Sequence, residues 1–314
     1  MSSSALPPSF TAAQTRALLP FDALIDALAR VIGERVDGLV DCPVRQVVPL
    51  PRGGQLLSMT AVAADLAVHK LVAVVPGNAQ RGLPTIHGRL TAIEPVTGRV
   101  TMTLDAATVT GRRTAAVTLL GMRRLLPRPP RAIVVIGTGV QASHHVDAIA
   151  ATCPDADVFV LGRDERSSVR FVARHRGPGS RLTAIGRFAD AAHADVVVTC
   201  TTSRVPVYHE AASVDRLVPA VGSYEPDVAE IAAATVRASR VIVDDPVGAS
   251  HEAGDLILAG IDAARIESLA NWLSDRAMRR DGPLLFKTVG CAAWDLAAAR
   301  VAREQRGDRP ATDA

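Results

Sequence analysis

A chain of 314 residues is long enough to bury a substantial core, and its length suits two domains better than one. Its residues are 48% hydrophobic but only 3% aromatic, a profile that suits an α/β protein and argues against a β-sandwich or a disordered chain. The net charge of +3 is mild and scattered, with no dense Lys/Arg cluster and no interleaved aromatic platform, so nucleic acid is not an expected partner.

In chain order, Thr11 reads as the cap of a short helix, and "FDALIDALARVIGERV" puts Leu24, Leu28 and Ile32 on one helical stripe. Beyond Gly38 come short β-prone runs separated by Pro/Gly turns: "RQVVPL" and "QLLSMT" around "PRGG", then "GRLTAIE" and "RVTMTLD" around "PVTG". These predict hairpins of an antiparallel or mixed sheet. "RRTAAVTLLGMRRLL" predicts a helix stopped by Pro127, with "PRPPR" as a domain joint. From Ala132 the apolar runs "AIVVIG", "DVFVLG", "DVVVTC", "LVPAVG" and "RVIVDD" alternate with helical stretches, the pattern of a parallel sheet covered on both faces. "GPLLFKTVG" and the helix "CAAWDLAAARVAREQ" are expected to return to the first domain, and the tail "RGDRPATDA" to be frayed. The expected architecture is therefore α/β, with residues 127–282 inserted between 1–126 and 283–314.

"VVIGTGVQASHH" holds G-x-G-x-x-A directly after an apolar strand and before a helix. Gly137 permits the tight turn, Gly139 lets a pyrophosphate approach the backbone, and Ala142 lets helix and strand pack closely. Val140 and Gln141 complete a loop whose helix N-terminus faces the phosphates. An acidic residue at the end of the next strand would mark NAD. Here Gly162 is followed by Arg163, which suits a 2′-phosphate and favours NADPH, whereas Asp164 one residue later leaves NADH open. His144 and His145 lack a carboxylate at ligand spacing and are expected to be a pair on the helix surface rather than metal ligands.

Cys42, Cys153, Cys200 and Cys291 stand far apart with no C-x-x-C pair, so buried thiols are expected, not disulfides or a zinc site. "MSSSALPPSF" lacks a basic start followed by an apolar core, and no charge-free run reaches membrane-span length; a cytoplasmic protein without a membrane partner is expected. Three cations stand in apolar surroundings: Arg45 in "CPVRQVVPL", Lys70 in "LAVHKLVAVVPGN" and Arg113 in "TGRRTAAV". Composition alone reads each as an ordinary surface or core-edge charge. Lys70 stands out, because burying an ammonium without a partner is expensive.

Seven blocks in order, "PVRQVVPL", "HKLVAVVPGN", "VTGRRTAAV", "IGTGVQA", "AVGSYEPDVAEI", "EAGDLILA" and "FKTVG", resemble the ornithine cyclodeaminase/mu-crystallin family over nearly the whole chain. The resemblance implies a Rossmann-type NAD(P)-binding domain inserted into a mixed α/β domain that binds substrate and forms a homodimer. It implies that Arg45, Lys70 and Arg113 gather a substrate carboxylate beside the nicotinamide, with Lys70 in the proton chemistry. It also implies that Thr85, Arg113, Thr201, Thr202, Val221 and Thr288 line the cofactor, and that Glu252 stands near the ligand pocket.

One departure from the family bears on the reaction. Cyclodeaminases have an aspartate in "V-G-G-D", where this chain reads "VGSY" with Tyr224. A phenol, with a pKa of about 10, is a poor substitute for a carboxylate base. "RGLPTIHG" and "VTGRRTAAV" also resemble the bacterial 1-pyrroline-2-carboxylate and 1-piperideine-2-carboxylate reductases. The implied reaction is reduction of a cyclic imino acid to L-proline or L-pipecolate. Ornithine cyclodeamination, an alanine-type dehydrogenase and a non-catalytic NADP-binding protein stand as its rivals.

Overall fold

The structure is a computed structural model that describes residues 6–51, 53–275 and 280–307. The first five residues, half of "MSSSALPPSF", and residues 308–314, most of the tail "RGDRPATDA", lie outside the described residues. The chain divides into two compact units, Met1–Arg113 with Cys291–Ala314, and Thr114–Gly290. The first boundary falls within the helix Ala106–Leu125, ahead of the "PRPPR" segment.

The first unit carries five strands, β1 (Gln46–Leu50), β2 (Gly54–Val62), β3 (Ala67–Val74), β4 (Ile86–Ile93) and β5 (Val100–Asp105), in an antiparallel sheet of sequential order. Both expected hairpins are present. Thr11 caps the helix Ala12–Ala17 in a capping box with Gln14, so the polar side chains satisfy backbone groups that the first turn leaves open. The helix Phe21–Val36 buries Leu24, Leu28 and Ile32 on the stripe read from sequence. It packs against the helix Ala292–Gln305, whose alanines from Ala292 to Ala302 are buried. Small side chains on that second helix allow a close approach to its neighbours.

The second unit is built on β6 (Ala132–Ile136), β7 (Asp157–Leu161), β8 (Leu182–Ile185), β9 (Val196–Thr199), β10 (Leu217–Ala220), β11 (Arg240–Val243), β12 (Ile266–Ser268) and β13 (Leu284–Lys287). All pair in parallel, in the order β12-β11-β13-β10-β9-β6-β7-β8. β6, β9, β10 and β13 are buried along their full length, as strands covered on both faces require. The sequence reading of "GPLLFKTVG" is corrected here. Instead of returning to the first domain, Leu284–Lys287 inserts between β10 and β11, each of its four residues pairing with both strands. The strand order reverses between β6 and β9, and at such a point doubly wound sheets bind their ligands in the crevice outside the carboxyl ends of the strands.

Candidate active site

In the first unit, alternation along β3 aims Val68, Lys70 and Val72 into the core, with exposures of 0%, 1% and 5%. The Lys70 ammonium is thus buried, and its partners come from two helices. Its Nζ donates to Asp295 Oδ1 at 2.9 Å and to Thr110 Oγ1 at 3.3 Å, and lies 2.7 Å from Asp295 Oδ2. Arg113, one helical turn beyond Thr110, is also buried. Its Nε stands 3.4 Å from Asp295 Oδ1 without a hydrogen bond. Arg45, at the entrance to β1 and half-buried, acts electrostatically on the same lysine.

Two buried cations, Lys70 and Arg113, therefore face the single carboxylate of Asp295, and Arg45 acts on the lysine from beside them. Burial chiefly lowers the Lys70 pKa, to about 8. Asp295 opposes the shift, while Arg113 and Arg45 add to it. Two buried cations sharing one carboxylate, with a guanidinium donor that lacks a hydrogen bond, have the chemistry to accept a small carboxylate.

In the second unit, Gly137 takes φ +129°, and a Cβ there would stand 2.6 Å from the Cys200 carbonyl oxygen. Only glycine fits this turn. Gly139 begins the helix Val140–Thr152 without a side-chain cap, and the space where its Cβ would lie is open. The first-turn N–H groups are thus left for an external acceptor. Val140 is exposed, Gln141 Oε1 is buried without a hydrogen bond, and Ala142 is fully buried against the sheet. These features fit the pyrophosphate of a dinucleotide.

At the end of β7, a Cβ on Gly162 would stand 2.2 Å from Ser167 Oγ and 3.0 Å from Thr138 Cγ2, so no side chain is accommodated there. Asp164 caps the helix Glu165–His175, its Oδ1 accepting from the Ser167 N–H at 2.7 Å. That hydrogen bond holds its carboxyl below the usual range. Arg163 between them is exposed.

The remaining sequence-read positions are divided between the units. Thr85 lies half-buried before β4, its carbonyl accepting from the Val75 N–H at 2.8 Å. Thr201 and Thr202 follow β9, the first half-buried and the second exposed. Val221 and Thr288 are buried just beyond β10 and β13. Glu252 ends the helix Pro246–Glu252 and is half-buried.

The histidine reading needs correction. His144 and His145 are both buried, not on the helix surface. His145 lies 3.0 Å from Thr118 Oγ1 and 2.8 Å from the Gln141 carbonyl oxygen, and burial brings its pKa down to about 4. Of the cysteines, Cys200 and Cys291 are buried as expected, whereas Cys42 and Cys153 are only half-buried. Among the described residues there is no cluster of metal-ligating side chains and no helix long and apolar enough to cross a membrane.

Sequence reasoning missed Asp295 and Thr110. The available signal for Asp295 was a single acidic residue inside "CAAWDLAAA", where every neighbour is small or apolar.

The model of the ornithine cyclodeaminase/mu-crystallin family matches residues 10–309. Delta(1)-pyrroline-2-carboxylate reductase 2 of Burkholderia ambifaria is 54% identical over 297 residues, covering 95% of each chain. The Delta(1)-pyrroline-2-carboxylate/Delta(1)-piperideine-2-carboxylate reductase of Azospirillum brasilense is 52% identical over 304 residues, covering 97% of each. Among solved structures, the Thermococcus litoralis Delta(1)-pyrroline-2-carboxylate reductase in complex with NADH and L-proline shares the fold, with TM-score 0.87, 24% identity and coverage of 97% and 98%. The chain belongs to the ornithine cyclodeaminase/mu-crystallin family.

Proposed function

We propose that the protein is an NAD(P)H-dependent reductase of cyclic imino acids, converting 1-pyrroline-2-carboxylate or 1-piperideine-2-carboxylate to L-proline or L-pipecolate. The observation that carries this reading is the buried pair of Lys70 and Arg113 on Asp295, with the half-buried Arg45 acting on the same lysine. The activities of the relatives from Burkholderia and Azospirillum support it.

Arg45 and Arg113 bind the substrate carboxylate, the guanidinium fork matching its two oxygens. Orientation of the ring follows from that anchor. NAD(P)H, when bound along Gly137–Ala142, supplies the hydride that reduces the C=N bond. The ring nitrogen also requires a proton. Lys70 is the group that releases one near neutral pH, since burial and two arginines have weakened its hold on it.

NADPH is the preferred cofactor in this reading. Gly162 admits no side chain, Asp164 is engaged as a helix cap, and Arg163 is left as the exposed cation at the strand end. Tyr224 in place of an aspartate counts against cyclodeamination. The enzyme so described is a cytoplasmic homodimer of proline metabolism.

The test is NAD(P)H oxidation with the five- and six-membered cyclic imines, beside pyruvate plus ammonia and beside L-ornithine. Turnover confined to the imines is expected. Turnover confined to pyruvate with ammonia would make it an amino-acid dehydrogenase instead.

A further inference from the structure

A buried polar relay joins the loops at the C-terminal ends of β9 and β10. Glu230 is fully buried, and its carboxylate accepts four hydrogen bonds. Oε1 takes the Thr201 N–H at 2.7 Å and the Thr201 hydroxyl at 2.8 Å. Oε2 takes the Thr199 hydroxyl at 3.0 Å and the Gly222 N–H at 2.6 Å. The backbone N–H groups of Glu230 and Ile231 in turn donate to Asp255 Oδ1 at 2.7 and 3.0 Å. Asp255 Oδ2 pairs with Lys287 Nζ at 2.9 Å, and that ammonium donates to the Ser223 carbonyl at 2.6 Å. The loop holding Gly222 and Ser223 is thus tied at both residues. Contact between the two loops is close: a Cβ on Gly222 would stand 2.2 Å from the Thr201 carbonyl oxygen.

The position of this relay matters more than its strength. β9 neighbours β6 at the point where the strand order reverses, and the Cys200 carbonyl abuts the Gly137 turn. Ligands of doubly wound sheets bind in that crevice, outside the carboxyl ends of the strands. A buried carboxylate, two further buried charges and a close-packed glycine are a heavy outlay merely to join two loops. We propose that Glu230, held by Asp255 and Lys287, is a positioning residue that presets the Thr201 and Gly222–Ser223 loops as one wall of the dinucleotide crevice. The inference rests on the dinucleotide-binding reading above. Its chemical content is preorganisation: the wall is formed before the cofactor arrives, so binding does not have to order it.

The variant to test is Glu230→Gln. It keeps the shape but turns one acceptor into a donor facing Thr201 or Gly222 N–H. Thr199→Val accompanies it, as an isosteric loss of one hydrogen bond that leaves the carboxylate in place. Dinucleotide affinity is read by NADPH fluorescence titration, and amide exchange at Thr201 and Gly222 is read without cofactor. With Glu230→Gln, NADPH affinity is expected to weaken about tenfold or more, with a smaller weakening for Thr199→Val. Exchange at both amides should accelerate before cofactor is added. KM for NADPH should rise while kcat at saturating NADPH holds, whereas a merely structural defect would lower kcat and leave KM unchanged. If Glu230→Gln fails to fold, Thr199→Val decides by the same readouts. Unchanged affinity and exchange in the folded variants, with the wild type binding NADPH, would overturn the inference alone. A wild-type protein that binds no dinucleotide would overturn the underlying reading.

Discussion

Asp295 Oδ2 lies 2.7 Å from Lys70 Nζ, although 225 residues separate the two in the chain. Both are buried, so each charge depends on the other. Losing one partner of a buried pair typically costs about 3–5 kcal/mol. Asp295→Asn should therefore destabilise the folded protein by about that amount, read by denaturant unfolding, and lower kcat/KM for the cyclic imine in the protein that still folds. The pH profile gives a second readout. Wild-type kcat/KM should fall as Lys70 loses its proton above about pH 8. Asp295 favours the ammonium, so its neutralisation should move that limb to lower pH. An unmoved limb would show that Lys70 is not the titrating group. Stability follows the same proton. Between about pH 8 and 10.5 the unfolded chain holds a proton on Lys70 that the folded chain has lost, so stability rises with pH across that window.

Much of this site could be read from the sequence, and the rest could not for definite physical reasons. Strands such as "AIVVIG" and the Gly137–Ala142 loop carry local signals, a fully apolar run and a turn with its own backbone requirement. Lys70 announced itself by the cost of burying it. Its partner did not, because pairing over such a separation is a tertiary fact. β8 and β12, at four and three residues, are too short to show a period. The place of β13 between β10 and β11 is decided by pairing, not by pattern. The histidine pair looked superficial because a helix's buried face is set by what packs on it.

Arg113 Nε is buried, 3.4 Å from Asp295 Oδ1 and without a hydrogen bond, so in the proposed reading it donates to the substrate carboxylate. Arg113→Met should weaken transition-state binding by about 2–5 kcal/mol, as for a desolvated charge pair that loses one member. Steady-state kinetics with the imine measures this. NADPH affinity in the same variant separates a substrate anchor from a cofactor contact. Unchanged kcat/KM would remove Arg113 from the carboxylate site.

Arg163 is the cation that the end of β7 offers, with Gly162 closed to side chains and Asp164 engaged. Arg163→Ala should weaken NADPH binding while leaving NADH nearly unchanged. Paired titrations with the two cofactors decide the matter. Equal losses for both would take Arg163 away from the 2′-phosphate.

The first unit's sheet leaves apolar side chains in solvent: Val48 is 54%, Leu71 42% and Val62 41% exposed. Cross-strand pairing sets Val48 beside Leu56 and Leu71 beside Ser58, on neighbouring strands. Exposed apolar surface of this kind marks an interaction face, and a second copy is the commonest partner. Sedimentation should show a dimer for the wild type. Val48→Asp with Leu71→Asp should give a monomer that still binds NADPH, and a monomeric wild type would refute the assignment.

Tyr224 stands where cyclodeaminases are expected to carry an aspartate, which bears on the choice between reductase and cyclodeaminase. A cyclodeaminase needs a base that frees the substrate's side-chain amine for attack, and a phenol with a pKa of about 10 serves that purpose poorly. A ketimine reductase needs no such base, because its substrate arrives as a ring. Carboxylate anchoring and hydride delivery then suffice, the roles proposed above for Arg45 and Arg113 and for the cofactor held along the Gly137 loop. One equivalent of NAD(P)H should accordingly be consumed per imine reduced, with negligible ammonia released from L-ornithine. Tyr224→Asp should not by itself create an efficient cyclodeaminase, because one carboxylate does not rebuild a pocket for the open-chain diamine. Rapid conversion of ornithine to proline by the unmodified protein, with no net change in NAD(P)H, would establish the lyase instead.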